Sequence, residues 1–164
     1  MTHWVLNRLI SFVLDTAAVC EAAAAVVGDR EVSRRLSTLC ADGLATAREL
    51  ADLQRREGAK PVMTGTPQGT ARCHAVLQLA AVSTKPSPAA VATAIRAVTE
   101  AVQGCERLAR LDVPPLVASA VHLVHGDLRV DRAELDQLML RLRRVAARAK
   151  RPDGPGERLG VERR

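Results

Sequence analysis

Residues 121–138, VHLVHGDLRVDRAELDQL, carry two histidines and four acids along one helical repeat. Apolar residues stand at 121, 124, 128, 135 and 138, and steps of three, four and seven make the stripe of a helix packed on one side. Extended both ways the stripe runs 117, 121, 124, 128, 131, 135, 138, 142 and 145, with Asp131 the one acid on it. His122 and His125 flank it. The segment is either a metal-binding helix or a bundle helix whose polar residues face water, and the rest of the chain decides between them.

A chain of 164 residues suffices for one domain with a single core. Hydrophobic residues make up 48%, yet Trp4 and Phe12 are the only aromatics, so Ala, Val and Leu must fill the interior. Small aliphatic cores suit closely packed helices, whereas sheets draw on Tyr, Phe and Thr. Charge is unevenly placed. Residues 1–140 hold 15 basic against 15 acidic side chains, and Arg141 to Arg164 hold 9 against 3, so the net +6 sits at the C-terminal end. The run PDGPGE ends any helix from about Arg151, which makes 151–164 a flexible basic tail beyond a bundle over 1–150. Arg141 to Arg164 can make a weak polyanion contact, but no aromatic interleaves the charges to stack on bases.

The same periodicity marks four more helices. Val5–Val27 has its stripe at 6, 10, 13, 17, 20, 24 and 27, closed by Gly28-Asp29; Glu31–Glu57 has one at 32, 36, 39, 43, 47, 50 and 53, stopped by Gly58. GAKPVMTGTPQG is a loop, in which Thr66-Pro67 caps a shorter helix over roughly 68–82. Ser87-Pro88 starts a helix with stripe positions 91, 95, 98, 102, 105 and 108, and Asp112 is the expected N-cap region of the last. The fold class is therefore all-α: an antiparallel four-helix bundle of two long hairpins, with an extra short helix between helices two and three. The longest uninterrupted apolar run, Ala22 to Val27, falls far short of a membrane span, and Arg8 and Asp15 interrupt the N-terminal stretch. A cytoplasmic protein with reduced thiols is expected.

LNRLI at 6–10, REL at 48–50, RREGAKP at 55–61, TGTPQGTARCH at 64–74 and LDVPP at 111–115 fall at the joints of this layout. In that order of parts, over roughly residues 5–140, the chain resembles the bacterial ferritin-like four-helix-bundle proteins of uncharacterised function. The resemblance implies the bundle fold and, in the wider group, a di-iron site of four glutamates and two histidines in which Glu-x-x-His motifs take part. The chain departs from that pattern: Glu49 is followed three residues on by Asp52, Asp131 by Glu134, and Glu-x-x-His occurs nowhere. With the remaining acids off the stripes, a di-iron centre is not expected.

A second constellation is softer. If the helices run up-down-up-down, the turns at Gly28-Asp29 and Asp112 share one end. Cys20 and Cys105 then lie about 10 to 12 Å below it, Cys40 about 17 Å, and His122 and His125 about 15 to 20 Å. Three thiolates with one or two imidazoles would suit Zn(II) or Cu(I). In a core this rich in alanine, cysteine also serves simply as a small buried filler. Cys73-His74 stands outside these layers on the short helix, and Asp131 needs a partner or solvent. Phosphate-loop and nucleophile-elbow motifs are absent from the sequence. The expected function is that of a non-catalytic binding or structural bundle with its di-iron site lost, bearing no resident cofactor. A protein partner or a homo-oligomer would use exposed Leu and Val of the short helix. The alternative is a soft-metal (zinc or copper) or thiol-responsive bundle using Cys20, Cys40, Cys105, His122 and His125.

Overall fold

The computed structural model describes residues 2–83 and 87–149, so the basic tail over 151–164 lies outside the described residues. It is all-α: α1 (Thr2–Val26), α2 (Arg30–Arg56), α3 (Pro67–Val82), α4 (Ser87–Leu108) and α5 (Pro115–Ala149). The helix boundaries follow local chemistry. Asp29 caps α2, its Oδ1 accepting from the Glu31 and Val32 backbone N–H groups at 3.0 Å each. Gly58 ends it with φ +80°, and the Gly58 and Ala59 N–H groups return to the Arg55 and Gln54 carbonyls. Asp112, the expected cap region of the last helix, instead lies ahead of it: α5 begins at Pro115, with the Pro114 carbonyl accepting the first bonds. Residues preceding a proline are held out of the α region, so Val113 and Pro114 cannot join the helix.

α1 is the hub. It packs on α2, α3 and α4, α5 closes against α4, and α2 meets α5 only sparsely. Buried Val5, Leu6, Leu9, Ile10, Val13, Ala17, Val19, Cys20 and Ala23 of α1 face the other helices, and the shared core is the aliphatic one that the composition demands. Close approach matters at Gly104 of α4, where the Phe12 ring occupies the space that a Cβ would need. By length and composition α1 could cross a membrane, which a count of uninterrupted apolar residues overlooks; half of its most apolar stretch is buried within this fold.

The helix directions overturn the up-down-up-down expectation. The Gly28 N–H donates to Ser87 Oγ at 3.2 Å, and Arg141 Nε pairs with Asp29 Oδ2 at 3.2 Å, so the α1–α2 turn, the start of α4 and the far part of α5 share one end. The Asp112 turn is at the other end, where Glu106 faces His125. The order is up-down-down-up. The cause is the crossover: after α2 descends, residues 58–66 climb beside α1 and α3 completes the return, so α4 must descend again.

Three contacts fix the climb. Asn7 Oδ1 accepts from the Val62 N–H at 3.0 Å, the Ser11 hydroxyl donates to the Thr64 carbonyl at 3.2 Å, and the Asp15 carboxylate takes both donors of Thr66. Its Oδ1 accepts the Thr66 N–H at 2.7 Å and its Oδ2 the hydroxyl at 2.6 Å, while Thr66 Oγ1 accepts from the Gly69 N–H at 3.0 Å as N-cap of α3. Gly65 and Gly69 leave room for this carboxylate; a Cβ at either would fall on Asp15. Gly69→Ala should therefore push Asp15 off Thr66 and lower stability by about 1 to 3 kcal/mol, the usual cost of overpacking a tight contact. Urea unfolding followed by circular dichroism measures it, and Gly28→Ala, with open space around its Cβ, is the control.

Candidate functional site

α3 is 16 residues long and lies over the seam between α1 and α4, leaving an open cleft on either side of itself. On the α4 side a groove of about 770 Å³ runs between α3 and α5. Its floor and walls are Ala75, Leu79, Ala89, Ala92, Ile95 and Met139, and Arg96, Asp136 and Arg143 stand at its polar margin. Asp136 is paired with Arg132 at 3.1 Å, and Arg96 donates to Thr93 Oγ1 at 3.2 Å; among the described residues neither Arg96 nor Arg143 has a carboxylate partner. The unneutralised charge at the groove is positive. Leu77, Leu140, Val145 and Val82 add exposed apolar surface on α3 and the outer part of α5.

On the α1 side a cleft of about 330 Å³ separates α2 from α3. Leu14, Ala18 and Glu21 of α1 form its floor, with Cys40 and Leu44 on one wall and Met63, Gly65, Cys73 and His74 on the other. Cys40 is buried and Cys73 half-buried. Burial pushes both thiols up from their ordinary range, and the Glu21 carboxylate adds to the effect on each, as Asp15 does on Cys73.

The corrected helix directions split the five residues expected to form a soft-metal set. Phe12 opposite Gly104 and Gly28 opposite Ser87 place Cys105 level with Ile10 of α1, about 15 Å along the bundle from Cys20. His125 is at the Cys105 end, its Nε2 buried and 3.6 Å from Glu106 Oε1, and His122 is exposed one turn beyond. Cys20 and Cys40 do share a level, and the third thiol there is Cys73, not Cys105. Cys20 is pushed up to about 12, mainly by burial, then by the charges of Asp131, Cys40 and Cys73. Cys105 is likewise pushed up to about 12, by burial and by Glu106. Among the described residues no three His, Cys, Asp or Glu side chains stand close enough to hold a metal ion together. Glu49, Glu100 and Glu106 are at exposed positions.

Asp131 lines a third cleft, of about 300 Å³, between α1, α2 and α5, with Asp42, Asp127, Thr16 and Thr46. It is half-buried and has no cationic partner among the described residues; Glu134 beside it pairs with Arg35 at 3.5 Å. Desolvation first, then Asp127, Asp42 and Glu134, raises its carboxyl from 3.8 to about 6.

Comparison with protein-family models, with curated proteins and with solved structures finds no match for the chain. Sequence periodicity gives no weight to Met63, which lies in the loop before α3, and sets Cys73, His74 and the groove margin aside because they stand beside the stripes. The available signal is the pair Gly65 and Gly69 around Thr66-Pro67: two glycines spaced about a capping residue mark a loop pressed against another element.

The acidic cleft sets a pH dependence. A carboxyl raised in the folded state binds its proton more tightly there than in the unfolded chain, so its stabilising contribution is full below about pH 4 and lost as pH rises through about 6. Asp131→Asn should leave the melting temperature near pH 4 unchanged and raise stability at pH 7.5. The gain should be on the order of 1 kcal/mol, less than the shift alone would give, because the cleft is open to water. Thermal melts across this range decide; equal pH slopes for the two proteins would reject the assignment.

Proposed function

We propose that the chain is a non-catalytic binding bundle of ferritin-like architecture, and that its working surface is the groove between α3, α4 and α5. Two hairpins joined by one long crossover are the layout of ferritin-like bundles. The reading is supported by the resemblance of the stretches LNRLI, RREGAKP and LDVPP, in that order, to such bundles.

The observation that carries the binding role is the groove itself. It is apolar along its floor, flanked by a helix on each side, and edged by Arg96 and Arg143. A helix laid in such a trough buries a stripe of side chains at i, i+3, i+4 and i+7, and carboxylates beside that stripe meet the arginines. The occupant is accordingly an amphipathic helix of a partner protein, apolar on one face and acidic along its flank. A second copy of this chain fits less well, because its groove margin and its α5 end, with Arg143, Arg144 and Arg148, bring like charges together.

A fluorescently labelled model helix with a leucine stripe and flanking glutamates should bind saturably and weaken with added salt. Its lysine counterpart, or an Arg96→Glu/Arg143→Glu variant of the protein, should lose roughly tenfold or more in affinity. Fluorescence anisotropy measures both. Equal binding of the two peptides would reject the acidic partner, and a concentration-dependent dimer in sedimentation velocity that Leu79→Glu dissociates would replace it with a second copy.

A further inference from the structure

The face of α5 turned away from the core carries a second row of apolar side chains. Leu116, Leu123 and Val130 are 52%, 69% and 67% exposed and stand seven residues apart. A single exposed leucine needs no explanation, but a row at heptad spacing is the seam that one helix presents to another. Ser119, Gly126 and Ala133 form a companion row three residues further on at each step, and all three are exposed. Among the described residues nothing calls for the glycine: a Cβ at 126 would meet no atom within 4 Å, and glycine inside a helix costs stability. Small side chains in that row let a second backbone come close.

We propose that this face joins two copies of the chain, with their α5 helices side by side and parallel about a two-fold axis that runs along them. The surface is separate from the groove. There α5 contributes Asp136, Met139, Leu140 and Arg143, none of which stands on the row, so either assignment can fail without the other.

The flanking charges select both the occupant and its direction. On the edge toward α2 stand Asp127, in the acidic cleft, and Glu134, 3.5 Å from Arg35 of α2. On the edge toward α4 stand His122 and Arg129, each one turn before a residue that reaches α4: His125 faces Glu106, and Arg132 donates to Thr99. Among the described residues Arg129 and Asp127 have no ion-pair partner. Parallel copies bring the basic edge of each against the acidic edge of the other. Asp127 lies five residues beyond His122 and Glu134 five beyond Arg129, the offset at which the flanks of parallel helices meet across a heptad seam. Arg129 of each copy therefore pairs with Glu134 of the other, and His122 donates to Asp127, every contact being made twice. Antiparallel helices would instead set acidic edge against acidic edge. The arginines further along α5 are kept apart. Arg141 is held by Asp29 of its own copy. Straight helices crossing near Gly126 at roughly 20° are about 9 Å further apart at Arg144, comparable to a Debye length.

Sedimentation equilibrium of the full chain over a range of concentrations tests this, and the expected result is a monomer–dimer equilibrium. Leu123→Glu, at a position already open to water, should weaken association by roughly tenfold or more, because it buries an unpaired charge in the contact. Leu79→Glu in the groove should leave it unchanged. Arg129→Glu sets like charges across the seam and should also weaken the dimer. Adding Glu134→Arg exchanges the two edges and should restore it, since the same pairs re-form with their signs swapped. Circular dichroism checks that each variant is helical; should a charge variant lose its helices, Leu123→Glu decides. A chain that stays monomeric into the millimolar range, a dimer that Leu123→Glu or Arg129→Glu leaves intact, or a double variant as weak as Arg129→Glu alone would each overturn the proposal.

Discussion

The carboxylate of Asp15 gripping both donors of Thr66 is the contact on which the rest of the architecture hangs. It is an intramolecular clamp 51 residues across in sequence, and it is made where two polar groups would otherwise be buried against a helix without partners. Because Thr66 is also the N-cap of α3, the clamp fixes where that helix begins and which way it points. Everything downstream inherits the choice. α3 climbs, α4 therefore descends, and α5 comes up on the far corner, diagonal to α1 and sparsely joined to α2.

The clefts are a by-product of this geometry. The crossover helix is shorter than its four companions and covers only one seam, so the outer faces of α1 and α4 stay partly bare on either side of it. The bundle interior, by contrast, is closed with small residues: Ala17 against Gly43, and Phe12 against Gly104, hold α1 close to its neighbours. Helices that approach so closely leave little space along α1, and the open clefts lie on either side of α3 and between α1, α2 and α5. The polar interior is correspondingly slight. Gln54 is buried at the foot of α2 with its Nε2 toward the Lys60 carbonyl at 3.5 Å, and its Oε1 finds no partner among the described residues.

The helices themselves are legible in the sequence, since each carries a stripe of three- and four-residue steps and most ends are punctuated by Gly, Pro or a capping side chain. Direction is not. A stripe says which face is buried and nothing about whether the next helix runs up or down, so periodicity alone puts Cys105, His122 and His125 at the wrong end relative to Cys20 and Cys40. Asp15 reads as an idle acid off the stripe of α1, although its position there is what lets it reach the loop. Cys73 stands apart from the other thiols for as long as the short helix has no direction; because that helix ascends beside α1, the residue comes level with Cys20 and Cys40. Asp131 is legible as an anomaly that needs a partner or solvent, and the structure sets it in an open, acidic cleft with no cationic partner among the described residues.

The crossover also shapes how the chain finds its fold. Each hairpin is closed by a turn of a few residues, so α1 with α2 and α4 with α5 can associate through neighbours in sequence, a quick and local process. Joining the halves requires the ascending segment to settle along α1, a contact far apart in the chain that carries a larger loop-closure cost. Until it settles, the alanine- and valine-rich faces of α1 and α4 are open to water. The contact along α1 is thus the one with the largest closure cost in the chain, and the glycines beside Thr66 are what let it form without a clash at Asp15.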